Sequence, residues 1–232
     1  MVFYQKCTLI YGFNIIYLIF SMLRILIADD HEVVREGLEK ILRTEYPDAW
    51  ISAVADGEEL IRKVQDADWD LVISDLSMPF TGGLDALALI RERQPDLPVL
   101  ILTMHPEEQY ALRALKAGAA GYLTKNMDTA EILAATRHVL SGRKYITPSI
   151  AERLVENANS GTTDLPHQKL SSREFEVFVL LAGGTPLIEI SRSLSLTPTT
   201  VSTYRSRILH KLNVATNADL TRYAIRHHLI GD

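Results

Sequence analysis

Residues 23–30 read LRILIADD, a short apolar run that ends abruptly in two adjacent carboxylates, Asp29 and Asp30. A run of this length and composition suits a strand buried on both faces of a sheet. Runs of the same kind follow at 51–55, 71–74, 99–104 and 121–124. Between them, apolar residues recur at helical spacing: at 33, 34, 38, 41 and 42, then at 84, 87 and 90, and again within 110–117 and 130–140. Strands alternating with such helices predict an α/β doubly wound parallel sheet of five strands over residues 23–141.

In sheets of this type the working site lies beyond the carboxyl ends of the strands. The residues expected there are Asp29 and Asp30 after the first strand, Asp75 after the third, Thr103 at the fourth and Lys125 after the fifth. No glycine-rich phosphate-binding fingerprint follows the first strand, so dinucleotide and P-loop nucleotide binding lose their usual physical basis. Three converging carboxylates repel one another unless a hard cation neutralises them. An all-oxygen ligand set suits Mg²⁺. A carboxylate beside Mg²⁺ can attack phosphorus, and a lysine and a threonine on the same rim can hold the transferred group. A single aspartate after a strand is more often a turn or capping residue. Five chemically matched residues on successive strand ends are not explained that way.

Residues 23–141 resemble the receiver domain of two-component response regulators, a flavodoxin-like fold. The resemblance rests on ILIADDHEVVREGL, DLVISDLSMPFTGG, LTMH and AGAAGYLTK. It implies that Asp75 is the phosphoacceptor, with Asp29, Asp30, Asp75 and the Ser77 backbone carbonyl around Mg²⁺. It also implies that Thr103 and Lys125 hold the phosphoryl group, and that Tyr122 follows Thr103 inward as the switch. The chain departs from the family pattern at Asn126, where many receivers place a proline after the lysine.

Residues 142–169 read as a linker, with Pro148 and the small, polar stretch ENANSGTTDLPHQ at 156–168; residues 150–155 could continue briefly as helix. Residues 170–232 then form a run of short helical segments. Ser171 or Ser172 suits an N-cap with Glu174 behind it, and Gly183-Gly184 stops that helix. Thr197-Pro198 caps and opens a segment whose Val201, Ile208 and Leu212 face inward. Two short helices around a tight turn suggest a helix-turn-helix, although periodicity alone fits a plain helical bundle equally well.

The whole stretch from 170 onward is similar to the LuxR-type DNA-binding domain of the NarL/FixJ family, and its Thr-Val-x-x-Tyr-Arg-x-Arg segment is especially similar to the GacA/UvrY subgroup. The resemblance implies that Ser202, Thr203 and Ser206 face bases and that Thr199, Thr200, Arg207 and Lys211 face phosphates. Arg205 would face phosphate or fold back to brace the domain. Many relatives carry lysine at the positions of Ser202 and Ser206, so no base preference transfers. The last helix, over 217–228, would form a dimer surface.

Composition agrees with two halves of different task. The chain of 232 residues carries a net charge of −5, but residues 1–163 hold 16 basic against 23 acidic groups and residues 164–232 hold 8 against 6. An acidic half joined to a weakly basic one fits a regulatory module and a polyanion-facing module. The single cysteine, Cys7, excludes an intrachain disulfide. Residues 1–22 form an apolar extension, interrupted by Thr8, Gly12 and Asn14, too short for a membrane span and without a cleavage signal. Translation starting at Met22 explains it best, and a membrane anchor is the alternative. The sequence thus reads as a cytoplasmic, DNA-binding transcriptional regulator, not an enzyme, switched by Mg²⁺-dependent phosphorylation of Asp75. Its partners would be a sensor histidine kinase or small phosphodonor, double-stranded DNA and a second copy when phosphorylated, with no small-molecule substrate. A phosphatase using Asp75 is the rival from another class, disfavoured because Ser77 stands where such enzymes place a second acid.

Overall fold

The computed structural model describes residues 22–79, 81–159 and 165–230. The apolar extension up to residue 21 lies outside them. Five parallel strands form one sheet: β1 (Arg24–Ala28), β2 (Trp50–Val54), β3 (Leu71–Ser74), β4 (Val99–Thr103) and β5 (Gly121–Thr124), in the order β2-β1-β3-β4-β5. Every residue of β3 and β4 is buried. This explains their unbroken apolar runs, because helices cover both faces.

Strand alternation sends neighbouring residues to opposite cores. Ile25, Ile27, Ile73 and Leu102 meet Leu38 and Leu42 of α1 (Glu32–Glu45) and Ile132 and Val139 of α5 (Thr129–Leu140). Leu26, Val72 and Ile101 meet the other layer: Leu60 of α2 (Gly57–Asp66), Leu87 of α3 (Gly83–Arg93) and Tyr110 and Ala114 of α4 (Glu107–Lys116). Helix α2 was not among the segments expected from periodicity. Leu60, Ile61 and Val64 do recur there at helical spacing, and its start is fixed by Asp56, whose side chain accepts from the Glu59 amide at 2.7 Å.

Residues read as linker prove partly regular. Helix α6 (Pro148–Asn159) extends the brief helix expected, and Ile150 is buried against the α4 layer. A 3₁₀ turn (Pro166–Lys169) follows. Four helices complete the chain: α7 (Ser172–Ala182), α8 (Leu187–Ser193), α9 (Pro198–Leu212) and α10 (Asn217–Arg226). Ser171 and Glu174 form a reciprocal capping box at the start of α7. Thr197 caps α9, with Pro198 in the first turn. The α8–α9 turn passes through Ser195 at φ 53°, a left-handed conformation that L side chains tolerate at some cost. Val201, Ile208 and Leu212 point inward, as their spacing required. Among the described residues no helix is long and apolar enough to cross a membrane.

The two halves pack together through α4. The Arg113 guanidinium donates to the carbonyls of His167 (3.1 Å) and Leu170 (2.5 Å) and lies 4.3 Å over the Phe175 ring. Tyr110 meets Phe175 edge-on at 5.3 Å. His167 is 9% exposed, and its Nδ1 lies 3.1 Å from the Tyr223 hydroxyl. Burial, followed by the charges of His227, Arg113 and Lys116, lowers the His167 imidazole from 6.5 to about 4.

The unfolded chain therefore binds a proton that the folded chain refuses between those two values. The stability this imidazole contributes is full above about pH 6.5 and falls as pH drops toward 4. The thermal midpoint should decline over that window, and His167→Gln should flatten the decline relative to the parent chain. An unchanged slope in the variant would show that this imidazole does not carry it.

Candidate functional site

Parallel pairing sets the site. Ala28 lies beside Ser74, Ser74 beside Ile101, and Thr103 beside Thr124. Backbone bonds carry the pairing one residue further: Asp29 N donates to Val54 O, Asp75 N to Ala28 O and Lys125 N to Thr103 O, at 3.2, 2.8 and 2.8 Å. Each next residue therefore emerges on one rim. The Lys125 ammonium sits between two carboxylates, 2.6 Å from Asp29 Oδ2 and 2.7 Å from Asp75 Oδ2. Burial alone would lower its pKa, but the hydrogen bonds to Asp29 and Asp75 outweigh that and raise it. The lysine is held charged. The other oxygen of Asp75 accepts from the amides of Leu76 (2.6 Å) and Ser77 (3.3 Å).

Asp29 and Asp75 are buried, at 1% and 4% exposure, whereas Asp30 and His31 are exposed. Asp30 Oδ1 lies 2.7 Å from His31 Nδ1, and the His31 amide donates to Asp29 Oδ1 at 2.9 Å. Asp29, Asp30, His31 and Asp75 offer ligand atoms all within 4.8 Å of one another. Three carboxylates against one ammonium leave negative charge in excess, and an oxygen-rich donor set of this kind fits a hard divalent cation. Arg35 braces the first strand end by donating to the Asp29 carbonyl at 2.7 Å.

Thr103 and Tyr122 are both fully buried, so the aromatic is already turned inward. Its hydroxyl donates to the His105 carbonyl at 3.0 Å. His105 had no role in the sequence reading, yet it touches several of these groups. Its Nε2 lies 2.6 Å from Ser77 Oγ, its amide donates to Thr103 Oγ1 at 3.4 Å, and its ring lies tilted against that of Tyr110 at 4.4 Å. Burial lowers its pKa; Asp75 opposes that and Lys125 adds to it. Tyr110 in turn meets Phe175 of α7. Next to Phe175, the buried Glu176 pairs with Arg173 at 2.6 Å. A Cβ at Gly82, the N-cap of α3, would lie 3.7 Å from a Glu176 oxygen. The Glu176 carboxyl is raised by burial, opposed by Arg173, and raised further by Asp85 and Asp75. The rim and the C-terminal helices thus share one electrostatic neighbourhood. Neither His105 nor Glu176 carries a sequence signal of its own, because each acts through residues distant in the chain.

On α9, Thr199, Ser202, Thr203, Ser206 and Arg207 are exposed, and Thr200 partly so. Several hydroxyls bond back to their own helix: Thr203 Oγ1 donates to Thr199 O at 3.0 Å and Ser206 Oγ to Ser202 O at 3.1 Å. Arg205 folds back, with Nε donating to Asn217 Oδ1 at 2.7 Å. Lys211, expected toward phosphate, reaches Glu174 Oε2 at 2.6 Å. The structure therefore gathers Asp29, Asp30, Asp75, Thr103 and Lys125 on one rim, and leaves six of the eight α9 candidates exposed, Lys211 among them although ion-paired.

Comparison with known proteins agrees with this division. Residues 25–137 match the model of the response regulator receiver domain, and residues 168–224 that of the bacterial regulatory proteins of the luxR family. The response regulator GacA of Pseudomonas protegens is 36% identical over 209 residues, spanning 90% of this chain and 98% of that one. The response regulator UvrY of Escherichia coli K12 is also 36% identical, with 90% and 96% covered. Among solved structures, RcsB from Salmonella enterica serovar Typhimurium, bound to promoter rprA in the presence of phosphomimetic BeF₃⁻, superposes with a TM-score of 0.57 at 26% identity, covering 88% of this chain and 98% of that one. Relatedness over nearly the full length of both partners, joined to the acidic rim and the α8–α9 pair, makes this chain a member of the response regulator family, with a receiver domain followed by a luxR-family domain.

Proposed function

We propose that the chain is a transcriptional response regulator in which Asp75 accepts a phosphoryl group. The carrying observation is the Lys125 ammonium held between Asp29 and Asp75 on a buried rim. An oxygen of Asp75 attacks phosphorus of a phosphohistidine on a sensor kinase or of a small acyl phosphate. The new acyl–phosphate bond forms as the donor's P–N or P–O bond breaks and the leaving group departs. Lys125 transfers its contact from the carboxylate to a phosphoryl oxygen, and the Thr103 hydroxyl supplies a second donor. Asp29, Asp30, Asp75 and the Ser77 carbonyl would hold Mg²⁺, which neutralises charge on the phosphoryl oxygens when bound. The chain's chemistry is confined to its own aspartate, so it is not an enzyme acting on a separate substrate.

The readout proposed is DNA binding through α9, as a homodimer with α10 as one candidate face, in the cytoplasm. RcsB in complex with DNA is among the similar structures, and the exposed polar face of α9 offers what a major groove requires. Ser202, Thr203 and Ser206 would approach base edges; Thr199, Thr200 and Arg207 would approach phosphates. The back-bonded Arg205 and the Glu174-paired Lys211 must exchange partners to join them. Phosphorylation would act on the α4–α7 contact through Thr103, Tyr122 and His105, biasing a two-state arrangement of the halves.

Intact mass spectrometry with acetyl phosphate and Mg²⁺ should show one phosphoryl adduct, absent without Mg²⁺ and absent in Asp75→Asn. An adduct that persists in Asp75→Asn would move the acceptor elsewhere. For the DNA half, Arg207→Ala should weaken binding similarly across different duplexes and make the log–log salt slope shallower by about 0.9 for each protomer bound. An unchanged slope would remove Arg207 from the phosphate contacts.

A further inference from the structure

The contact between the halves encloses a cleft of about 420 Å³, within the range of small-molecule sites, which favour domain interfaces. Its lining is divided by chemistry. Leu112 of α4 and Leu165 give it partly exposed apolar surface beside Leu229 of the luxR-family half, while Arg113 and Lys116 of α4 and Arg153 of α6 bring three cations. His167 and His227 line the same space. The positive field is felt within it, since the charges of His227, Arg113 and Lys116 all add to burial in depressing the His167 imidazole.

A neutral apolar molecule would leave those cations uncompensated, and a cation would be repelled. A polyphosphate is a poor fit for two reasons. The terminal nitrogens of Arg113 already donate to the His167 and Leu170 carbonyls and Arg153 is partnered as well, and Asp85 on the lining opposes a second negative charge. Lys116 remains well placed: it is exposed, with only a 3.5 Å contact to Gln168.

We propose that this cleft binds a small organic monoanion, a carboxylate or sulfonate on a single hydrocarbon body, with its charge at Lys116 and its hydrocarbon against Leu112, Leu165 and Leu229. Both halves of the chain supply the walls, so such a ligand binds their docked arrangement and stabilises it by mass action. It would act as a second input, opposing any signal that separates the halves. Only that regulatory consequence rests on the phosphorylation reading; the binding itself does not.

The test uses the full chain with neither phosphodonor nor DNA, and 8-anilinonaphthalene-1-sulfonate as the fluorescent probe. One saturable site per chain is expected, displaced by hexane-1-sulfonate but not by hexyltrimethylammonium. Lys116→Glu should weaken the probe by about tenfold and Lys116→Gln by less. Near-UV circular dichroism identifies which variants keep native packing, and Lys116→Gln alone decides the matter if Lys116→Glu does not. Non-saturating binding, equal displacement by the cation, or wild-type affinity in the folded variants would overturn the proposal. None of these outcomes bears on whether Asp75 is phosphorylated.

Discussion

The Lys125 ammonium, lodged between Asp29 and Asp75 at 2.6 and 2.7 Å, is the interaction on which the rest of the site depends. Two buried carboxylates at neighbouring strand ends repel each other unless a cation lies between them. The lysine removes that difficulty, and its own charge is secured by the same contact. The sheet makes this possible at little conformational cost, because parallel register delivers residues 29, 75 and 125 to one rim with their backbones already hydrogen-bonded. The lysine also keeps the rim poised. A divalent cation or a phosphoryl group adds to a site whose charge is still net negative and whose one counter-ion can change partner.

From that rim a short physical path reaches the other half of the chain. His105 touches Ser77, Thr103 and the Tyr122 hydroxyl on one side and packs its ring, tilted, against Tyr110 on the other. Tyr110 meets Phe175, and Glu176 lies against the start of α3 close to the acidic cluster. A change in charge or position at the rim therefore has both a packing route and an electrostatic route to α7. The interface it meets is a mixed one, held by the Arg113 bonds to two carbonyls, its ring contact and a few aromatic edges. Interfaces of this kind permit relative motion of domains. The Ser- and Thr-rich face of α9 stays exposed in this arrangement, so docking of the halves does not bury the residues proposed to read DNA.

Much of this was legible in the sequence, for physical reasons. Strands covered on both faces must be continuously apolar, so the order of residues along the chain is enough to locate their ends and to name the rim residues. The caps at Ser171 and Thr197 and the inward positions 201, 208 and 212 followed from helical geometry alone. What escaped was mostly long-range. Helix α2 is the exception, since Leu60, Ile61 and Val64 do recur at helical spacing, whereas the packing of Ile150 in α6 against the α4 layer joins residues far apart in the chain. Arg113 bonds to carbonyls 54 and 57 residues away. Arg205, left open between a phosphate and a brace, braces here through Asn217, and Lys211 is drawn to Glu174 by a capping box that the sequence does indicate. His105 looked like any loop histidine.

If the path from the rim is real, chemistry at Asp75 is felt at the α4–α7 contact. Amide hydrogen exchange on the full chain, with Mg²⁺ and with or without acetyl phosphate, tests this most directly. Faster exchange is expected in the segments around Tyr110–Arg113 and Phe175–Phe178 upon phosphorylation, with no change in Asp75→Asn. Stoichiometric phosphorylation that leaves exchange in both segments unaltered would contradict it.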